Sequence, residues 1–493
     1  MWGQRPGQIA PEIYEIDMRK TKIICTIGPA CDSEQMISMF LDEGMNVARI
    51  NFSHGTLAEH EKTIAKIKKV REAKGMPLPI MLDTKGPECR IGKFKNDSIN
   101  VEDGQDFIFT EDDIIGDEKS VSVTYRGFTD NLRKGDRILV NNGLVVFEIK
   151  EVMKKSVRCV VLTGGELKNH KSMSFPGRVF SGEYLSEADK RDIIFGIEKD
   201  VDFIAASFVS NESDAISLRK FLNDNGGGSI DIIAKIENSE GVKNIHKICK
   251  TVDGIMIARG DLGVEIDYAE VPSVQKNLIK ICRKIGKRVI VATEMLESMI
   301  LNPRPTRAEA SDVANAVFDE ATAVMLSGET ASGKYPDLSV RAMSEIITKT
   351  ENRIDYAERF NNANYIVKSN LDAITKSVCE MAIDTRSSAI IINSISGKTA
   401  KNITKFRSPV RVAGIAKDEK VYRKLAMCWG VIPIMKSSDG EFYDAFFKGS
   451  KESVDGLVIE KLGLKPNDTI IITGGNLERG RGTTNMIMLE TIR

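Results

Sequence analysis

The segment "IMIARGDLGVEI" (residues 255–266) decides the fold, because four apolar residues lead directly into Arg259, Gly260 and Asp261. An unbroken apolar run that ends in polar residues is typical of a strand buried on both faces. Seven further segments have this form: "KIICTIG" (22–28), "MNVARINFS" (45–53), "PLPIMLDT" (77–84), "DFIAASF" (202–208), "IDIIAKIE" (230–237), "RVIVATE" (288–294) and "ATAVMLSGE" (321–329).

Most of these runs are separated by segments with helical spacing, such as "DSEQMISMFLDEG" (32–44) and "EVPSVQKNLIKICRKIGK" (270–287). Buried strands that alternate with helices form a parallel sheet covered by helices. Eight such units in a row predict a (β/α)8 TIM barrel, in which the carboxyl ends of the strands carry the chemistry. The polar residues that end each run are therefore expected at one rim.

Two other regions have sequence patterns that differ from this alternation of buried strands and helices. Residues 88–180 are rich in turns and short alternating runs, which predicts a small β-barrel domain inserted after the third strand. Residues 356–493 contain "SAIIINSISG", "VRVAGIAK" and "DTIIITGG", which predict a C-terminal domain with an open α/β sheet. The barrel is then expected over 21–87 and 181–355, with 1–20 as an N-terminal arm.

The composition excludes several classes of protein. The chain has 493 residues, with 70 Lys and Arg against 70 Asp and Glu, so no charge excess favours a nucleic-acid partner. No apolar run approaches the roughly 20 residues of a membrane helix, and the start lacks an export signal. The eight cysteines are scattered, without a CxxC pair. This favours reduced thiols in a cytoplasmic protein over disulfides or a zinc site.

Charged side chains follow two neighbouring predicted strands. Lys235 and Glu237 lie two residues apart, so they share a face, and Asp261 ends the next strand. Carboxylates without nearby His or Cys suit a hard divalent cation such as Mg²⁺ or Mn²⁺. The alternative is a set of buried ion pairs inside the barrel mouth.

The second and third strands also end in polar side chains: Arg49, Asn51 and Ser53, then Asp83 and Thr84, with Arg90 beyond a Gly-Pro hinge. Arginine suits a phosphate group, and side-chain oxygens suit a monovalent cation or a hydrogen-bond network. The alternative is a generic polar rim that satisfies loop backbone.

The segment "SISGKT" (394–399) follows an apolar strand and precedes a helical pattern. Small residues and a lysine before a helix start can cradle a phosphate with backbone N–H groups. A plain strand-to-helix turn is equally consistent, since Ile392 stands where a Walker A motif would begin with glycine.

Taken together, the motifs resemble the pyruvate kinase family, in that family's order and over nearly the whole chain. They are "CTIGPA" (25–30), "GMNVARINFSHG" (44–55), "LDTKGPE" (82–88), "KIEN" (235–238), "ARGDLG" (258–263), "ATEMLESM" (292–299), "NPRPTRAEASDVANAV" (302–317) and "MLSGETA" (325–331). The resemblance implies phosphoryl transfer from phosphoenolpyruvate to ADP, giving ATP and pyruvate.

The resemblance also implies a role for each site residue. Glu237 and Asp261 would hold the divalent metal, and Lys235 would lie over the phosphoryl group and then stabilise the enolate. Backbone N–H groups around Gly260 and Asp261 would bind the substrate carboxylate, and Thr293 would lie near the methyl carbon of pyruvate. The implied K⁺ ligands are Asn51, Ser53, Asp83 and Thr84. The implied phosphate and nucleotide groups are Arg49, Arg90, Lys171, Pro29, Asn51 and His54.

Two further expectations come from the resemblance. The segment 302–317 would form a barrel–barrel contact in a homotetramer. A phosphorylated sugar would act as effector on the C-terminal domain, at Ser394, Ser396, Gly397, Lys398, Thr399, Arg479 and Arg481. Glu88 stands at a position where family members with Glu generally require K⁺ and those with Lys generally do not.

The sequence departs from the family pattern at Glu294, at Glu59 and in Asp319-Glu320-Ala321-Thr322. Glu294 stands where Gln is common, and Glu59 replaces a Tyr that often flanks adenine. Two alternatives remain: a Mg²⁺-dependent barrel aldolase acting on pyruvate enolates, and an inactive paralogue that only binds a sugar phosphate. The set of phosphate-binding arginines counts against the aldolase, and intact Lys235 and Thr293 count against the paralogue.

Overall fold

The computed structural model describes residues 19–178, 182–393, 396–435, 456–475 and 484–492. The predicted strand at residues 255–258 and the seven other predicted apolar strands form a closed, all-parallel barrel. Its first three strands are β1 (Lys22–Thr26), β2 (Val47–Asn51) and β3 (Ile80–Asp83). The barrel prediction is confirmed.

The chain then leaves the barrel and forms an antiparallel-rich insert before returning. The strands of the insert are β4 (Cys89–Arg90), β5 (Ser98–Val101), β6 (Asp106–Thr110), β7 (Ser120–Ser122), β8 (Arg137–Val140), β9 (Val145–Val152), β10 (Ser156–Thr163), β11 (Gly165–Lys168) and β12 (Ser172–Ser174). They form a sheet in the order β4-β12-β8-β9-β10-β6-β7 and a separate β11-β5 pair. Phe107, Phe109 and Phe147 pack together in its own apolar core, which is why the insert is a distinct unit.

The remaining barrel strands are β13 (Phe203–Ala206), β14 (Asp231–Ile236), β15 (Gly254–Ala258), β16 (Arg288–Ala292) and β17 (Ala323–Leu326). Around the barrel the order is β1-β17-β16-β15-β14-β13-β3-β2, so β3 and β13 are neighbours although the insert separates them in sequence. This adjacency brings the end of "DFIAASF" beside the end of "PLPIMLDT".

The C-terminal domain is an open α/β sheet, as predicted. Its strands are β18 (Ala389–Asn393), β19 (Arg411–Ala416), β20 (Val431–Met435), β21 (Thr469–Gly474) and β22 (Met486–Thr491), in the order β20-β19-β18-β21-β22. Only the pairing of β22 with β21 is antiparallel among these described strands.

The helices cover the barrel and both faces of the C-terminal sheet. They are α1 (Glu34–Asp42), α2 (Leu57–Lys74), α3 (Glu187–Glu198), α4 (Glu212–Asp224), α5 (Ser239–Lys243), α6 (Ile245–Thr251), α7 (Arg259–Glu265), α8 (Val271–Ile285), α9 (Arg307–Phe318), α10 (Gly328–Ala331), α11 (Pro336–Glu351), α12 (Tyr356–Asn362), α13 (Asn370–Asp384), α14 (Lys398–Ile403), α15 (Glu419–Leu425) and α16 (Gly456–Leu462), with 3-10 turns at Glu297–Ile300 and Thr404–Phe406. Within the described ranges, no helix combines the length and apolar character needed to cross a membrane.

The C-terminal domain lies against the amino ends of the barrel strands. Met427 is fully buried in the apolar cluster inside the barrel, together with Ile233 and Met256. Around it, Arg423 Nε contacts Asp202 Oδ1 at 2.8 Å, and Lys424 Nζ contacts Asp231 Oδ1 at 2.9 Å. The bottom of the barrel is therefore closed by the C-terminal domain, and the opposite rim remains for the site.

Candidate active site

Lys235 lies at the centre of a buried polar cluster at the carboxyl rim. Its Nζ donates to Ser207 Oγ at 2.7 Å and to Asp83 Oδ1 at 3.2 Å, and lies 2.9 Å from Glu237 Oε1. Because side chains alternate along a strand, Lys235 and Glu237 reach the same side of β14. The two carboxylates raise the pKa of Lys235 against the opposing effect of burial, so the ammonium stays charged.

Glu237 is fully buried, and one of its oxygens lacks a hydrogen bond. The backbone N–H of Phe208 donates to Oε2 at 2.6 Å, whereas Lys235 approaches Oε1 without hydrogen-bond geometry. Burial raises the pKa of Glu237 to about 7, Lys235 opposes this shift, and Asp261 adds to it. An unsatisfied buried carboxylate oxygen near a second carboxylate favours an added cation. These two carboxylates therefore fit the predicted divalent metal.

The protein supplies only part of a metal's coordination shell. In the part of the chain that the structure describes, no group of three or more His, Cys, Asp or Glu side chains could hold a metal ion. A cation on Glu237 and Asp261 would take its remaining ligands from oxygen atoms of substrate and water.

Arg49 is held by the barrel itself. Its Nε contacts Asp83 Oδ2 at 2.7 Å, and its Nη1 donates to Thr26 Oγ1 at 2.7 Å. Although burial opposes ionisation, Arg49 and Lys235 hold the pKa of Asp83 below its usual range. The cluster thus contains two cations and the carboxylates of Asp83 and Glu237, which balances its charge before a substrate enters.

In the segment 255–266, β15 leads directly into α7, and the first residues of α7 are hydrogen-bonded to the loop that follows β16. The Arg259 guanidinium donates to the Thr293 carbonyl at 2.7 Å and contacts Asp312 at 2.6 Å, so it fixes a loop. The Gly260 N–H donates to Thr293 Oγ1 at 2.8 Å. Thr293 and Glu294 have positive φ angles of 67° and 53°, a rare conformation for residues other than glycine that clusters at functional sites. The structure therefore brings Gly260 and Thr293 together.

The predicted K⁺ ligands share the rim near β2 and β3. Asn51 and Asp83 are aligned across the two strands, and Asn51 Oδ1 accepts the Ser53 N–H at 3.1 Å. Thr84 Oγ1 accepts the Ser207 N–H at 3.2 Å. Asp83 is the one formally charged member of the set. Pro29 lies in the loop after β1 and His54 in the loop after β2, where the His54 N–H donates to the Asn51 carbonyl at 3.4 Å.

Arg90 and Lys171 belong to the insert, and among the described residues no hydrogen bond or ion pair joins them to the cluster around Lys235. Arg90 contacts Glu88 at 2.6 Å and donates to the His170 carbonyl at 2.7 Å. The Lys171 carbonyl accepts the Ile91 N–H at 3.0 Å. A cleft of about 250 Å³ lies between insert and rim, with Glu88, Ser174, Phe208, Asn238, Asp261 and Glu265 among its walls.

The described part of the predicted effector loop adopts a turn that precedes a helix. Gly397 has φ 72°, in the left-handed region, and α14 begins at Lys398. Thr399 is buried and its hydroxyl lies 2.5 Å from that of Thr484. Ser396 is exposed beside them. The predicted effector residues Ser394, Arg479 and Arg481 lie outside the described residues.

Two of the departures from the family pattern, Glu59 and Glu320, have local structural roles. Glu59 forms a capping box with Thr56 at the start of α2, and its Oε2 accepts the Thr56 N–H at 2.8 Å. Glu320 is buried and pairs with Arg283. The side chain of Glu294 is exposed to solvent, where its charge is screened.

Sequence reasoning did not identify three candidate functional residues. Ser207 accepts from Lys235 and donates to the Thr84 carbonyl at 2.7 Å. Glu329 is fully buried and accepts the N–H groups of Leu296 and Ser327 at 3.1 and 2.7 Å. Glu265 accepts backbone N–H groups from the returning segment of the insert. Ser207 and Glu329 each follow a buried strand, so their position after an apolar run was the available signal.

Comparison with known proteins identifies the family. The model described as "Pyruvate kinase, barrel domain" matches residues 18–340, and "Pyruvate kinase, alpha/beta domain" matches residues 372–489. A pyruvate kinase of Clostridium acetobutylicum is 41% identical over 480 residues, which cover 96% of this chain and 100% of that protein. One from Geobacillus stearothermophilus is 42% identical over 481 residues, which cover 96% and 80% of the respective chains.

A solved structure agrees over the whole fold. The crystal structure of a pyruvate kinase from Cryptosporidium parvum superimposes with a TM-score of 0.90 at 34% sequence identity, covering 97% of this chain and 98% of that chain. The resemblance inferred from the motifs is confirmed. The chain belongs to the pyruvate kinase family, and it is a pyruvate kinase enzyme.

Proposed function

We propose that the polar cluster around Lys235, at the carboxyl rim of the barrel, catalyses transfer of the phosphoryl group of phosphoenolpyruvate to ADP, giving ATP and pyruvate. We call this group of Lys235, Asp83, Ser207, Glu237 and Arg49 the rim cluster. The observation that carries this proposal is the buried Lys235 ammonium, held between Asp83, Glu237 and Ser207 at 2.7–3.2 Å. Phosphoryl transfer requires little covalent chemistry from a protein and depends on positive groups placed in advance. A charged lysine that three neighbours hold in place meets this requirement.

Glu237 and Asp261 would hold Mg²⁺ or Mn²⁺, and Asn51, Ser53, Asp83 and Thr84 would hold K⁺. When bound, the divalent cation would supply Lewis-acid stabilisation of the negative charge that develops during phosphoryl transfer. The unsatisfied oxygen of Glu237 supports the first assignment. The single formal charge among the four oxygen donors supports a monovalent ion at the second.

The residues of the chain would act as follows. Lys235 stabilises negative charge on the phosphoryl group and then on the enolate oxygen. The N–H groups at Gly260 and Asp261 bind the substrate carboxylate, which takes the place of the Thr293 hydroxyl at Gly260. Thr293 positions a water that protonates the methylene carbon, so the enolate is trapped as ketone. Arg49 contributes charge from the barrel.

The insert would act as a lid. Closure would carry Arg90 and Lys171 toward the rim, narrow the 250 Å³ cleft and exclude water, which keeps the phosphoryl group from hydrolysis. The nucleotide would lie on the side of Pro29 and His54. Glu59 is engaged in capping α2, so we assign it no direct part in base recognition.

We also propose that the enzyme works in the cytoplasm as a homotetramer with a sugar-phosphate effector. The effector would bind Ser394, Ser396, Gly397, Lys398 and Thr399, with Arg479 and Arg481 closing over it. The left-handed turn at Gly397 before α14 supports a phosphate cradle there. Light scattering at micromolar concentration would reveal a monomer if the assembly is wrong. An unchanged phosphoenolpyruvate saturation curve with sugar mono- and bisphosphates and AMP would refute the effector.

The reaction is tested with phosphoenolpyruvate, ADP, Mg²⁺ and K⁺, with lactate dehydrogenase reporting pyruvate. We expect NADH oxidation that depends on all four components. Pyruvate formation from an aldol substrate without ADP would indicate the aldolase alternative. No turnover by a folded protein that still binds a sugar phosphate would indicate an inactive paralogue.

A further inference from the structure

A second cleft lies away from the rim, between the last turns of α8 and the chain that enters the C-terminal domain. Its volume is about 240 Å³. One wall is the last turns of α8, and the other is the segment 363–366 together with Lys405. The lining residues are Lys280, Arg283, Lys284, Ala363, Asn364, Tyr365, Ile366 and Lys405. Four of these eight are cationic, and no described carboxylate lines the cleft.

The charges of the cleft are only partly compensated. Arg283 pairs with buried Glu320, and Lys405 pairs with Asp372. Lys280 and Lys284 lie one turn apart on α8, so they share a face, and neither has an ion-pair partner among the described residues. Two like charges at this spacing repel each other, and an anion between them would relieve that repulsion.

A buried cation behind the cleft adds to the positive field. Arg407 is 4% exposed; its Nη groups donate to the carbonyls of Thr404 and Glu320, and its Nε has no partner. Burial lowers the pKa of Arg407 to about 9, and the positive charge of Arg283 adds to this shift. No carboxylate forms an ion pair with Arg407 among the described residues, so the region keeps a positive excess.

We propose that this cleft binds the phosphate group of a small phosphorylated metabolite. Lysine is a point charge that suits a phosphate dianion, and the exposed Lys280 and Lys284 can move toward it without breaking an ion pair. Tyr365 donates to the Phe406 carbonyl at 3.0 Å, which fixes its ring in the wall, and the exposed Asn364 amide can bind a hydroxyl of the metabolite. The cavity volume suits a small molecule. The site is distinct from the predicted effector loop at 394–399.

Binding there would connect the two domains that form its walls. The α8 helix ends at Ile285, is capped by Gly286 and is followed closely by β16, the strand that precedes Thr293. Lys405 follows α14 in the C-terminal domain. A ligand that contacts both walls stabilises one arrangement of the domains, by mass action on the state that binds it.

The experiment is site-specific lysine footprinting of the full-length enzyme, read by mass spectrometry, with inorganic pyrophosphate as probe and chloride at matched ionic strength as control. We expect pyrophosphate to slow acetylation of Lys280 and Lys284 several-fold. Lys247 and Lys250 are also exposed, lie on α6 and have no ion-pair partner in the described chain, so their labelling should not change. Equal labelling of Lys280 and Lys284 with and without pyrophosphate would overturn the proposal.

Two charge-reversal variants complete the test. In Lys280→Glu/Lys284→Glu, calorimetric titration with pyrophosphate should lose one class of binding site, while the matched Lys247→Glu/Lys250→Glu should retain it. Both lysine pairs are exposed, and both double variants change the net charge by the same amount. A difference in pyrophosphate binding between the two variants therefore depends on where the lysines lie. If both variants keep the same number of sites as the parent enzyme, the cleft does not bind phosphate. The active site is untouched in both.

Discussion

Replacing Lys235 by Met removes the cation at the centre of the rim cluster and nearly preserves the side-chain volume. The structure indicates two separate costs. Glu237 and Asp83 are 0% and 1% exposed; Asp83 would keep its ion pair with Arg49, whereas Glu237 would lose Lys235, its ion-pair partner. Breaking a buried ion pair typically costs about 3–5 kcal/mol of stability. Removing one preorganised charge typically lowers kcat by about 10²- to 10³-fold, or about 2.7–4 kcal/mol of barrier.

These two costs are separated by a second variant. Lys235→Met/Glu237→Gln removes the carboxylate that the first change leaves uncompensated, so we expect it to recover part of the lost unfolding free energy while kcat stays low. Urea unfolding measures the first quantity, and initial rates in the lactate-dehydrogenase-coupled assay at saturating substrates measure the second. Lys250→Met, at an exposed position, is the matched control. A near-wild-type kcat in Lys235→Met would remove this residue from the mechanism.

Three further changes test other parts of the site. Ser207→Ala removes the acceptor 2.7 Å from Lys235 Nζ; we expect kcat to fall about tenfold at nearly constant KM, with about 1–2 kcal/mol lost in unfolding, and an unchanged kcat would contradict its positioning role. Glu88→Lys breaks the 2.6 Å pair with Arg90 and should reduce the K⁺ requirement at some cost in peak rate; kcat/KM with K⁺ against tetramethylammonium at matched ionic strength measures this, and an undiminished requirement argues against it. Burial raises the pKa of Glu265 from 4.5 to about 7, so its stabilising contribution is greatest below pH 4.5 and is lost as pH rises through 7. In Glu265→Gln, the unfolding free energy should therefore fall less between pH 4.5 and 7 than in the parent enzyme, by at most about 3 kcal/mol. Parallel curves of unfolding free energy against pH for the two proteins would show that the pKa shift is absent.

The sequence was sufficient for the barrel because its strands are continuous apolar runs with polar ends. Strand periodicity also placed Lys235 and Glu237 on one face, and their ion contact follows from that spacing. The position of Ser207 could not be read in this way. It depends on β13 lying next to β3, which is set by barrel closure across the insert.

The orientation of charged side chains was harder to predict than their position. Arg259 stands in the motif that decides the fold, yet its guanidinium binds the Thr293 carbonyl and Asp312. Arg90 was expected near the phosphates, and in the structure it contacts Glu88 and the His170 carbonyl within the insert. A long cationic side chain selects among acceptors several ångströms apart, and only the folded arrangement of neighbouring loops determines which acceptor it reaches.

The strand β14 holds Lys235 and also contacts the C-terminal domain. Asp231 begins β14, and Lys235 lies near its end, a separation of about 13 Å along an extended strand. Arg288 and Lys424 contact Asp231 at 2.7 and 2.9 Å, and Lys401 of α14 lies 3.7 Å away. These cations hold the pKa of Asp231 well below its usual range despite its burial.

Buried ion pairs of this kind often add little stability compared with apolar packing, but they define orientation strictly because breaking one leaves an uncompensated charge. The network around Asp231 therefore fixes α14 and α15 relative to β14 more than it strengthens the fold. Lys401 of α14 contacts Asp253, just before β15, at 2.9 Å as well as Asp231 at 3.7 Å, so α14 is held against the starts of two barrel strands. The same strand thus joins two environments: its first residue contacts the C-terminal domain, and Lys235 near its other end contacts Asp83, Ser207 and Glu237.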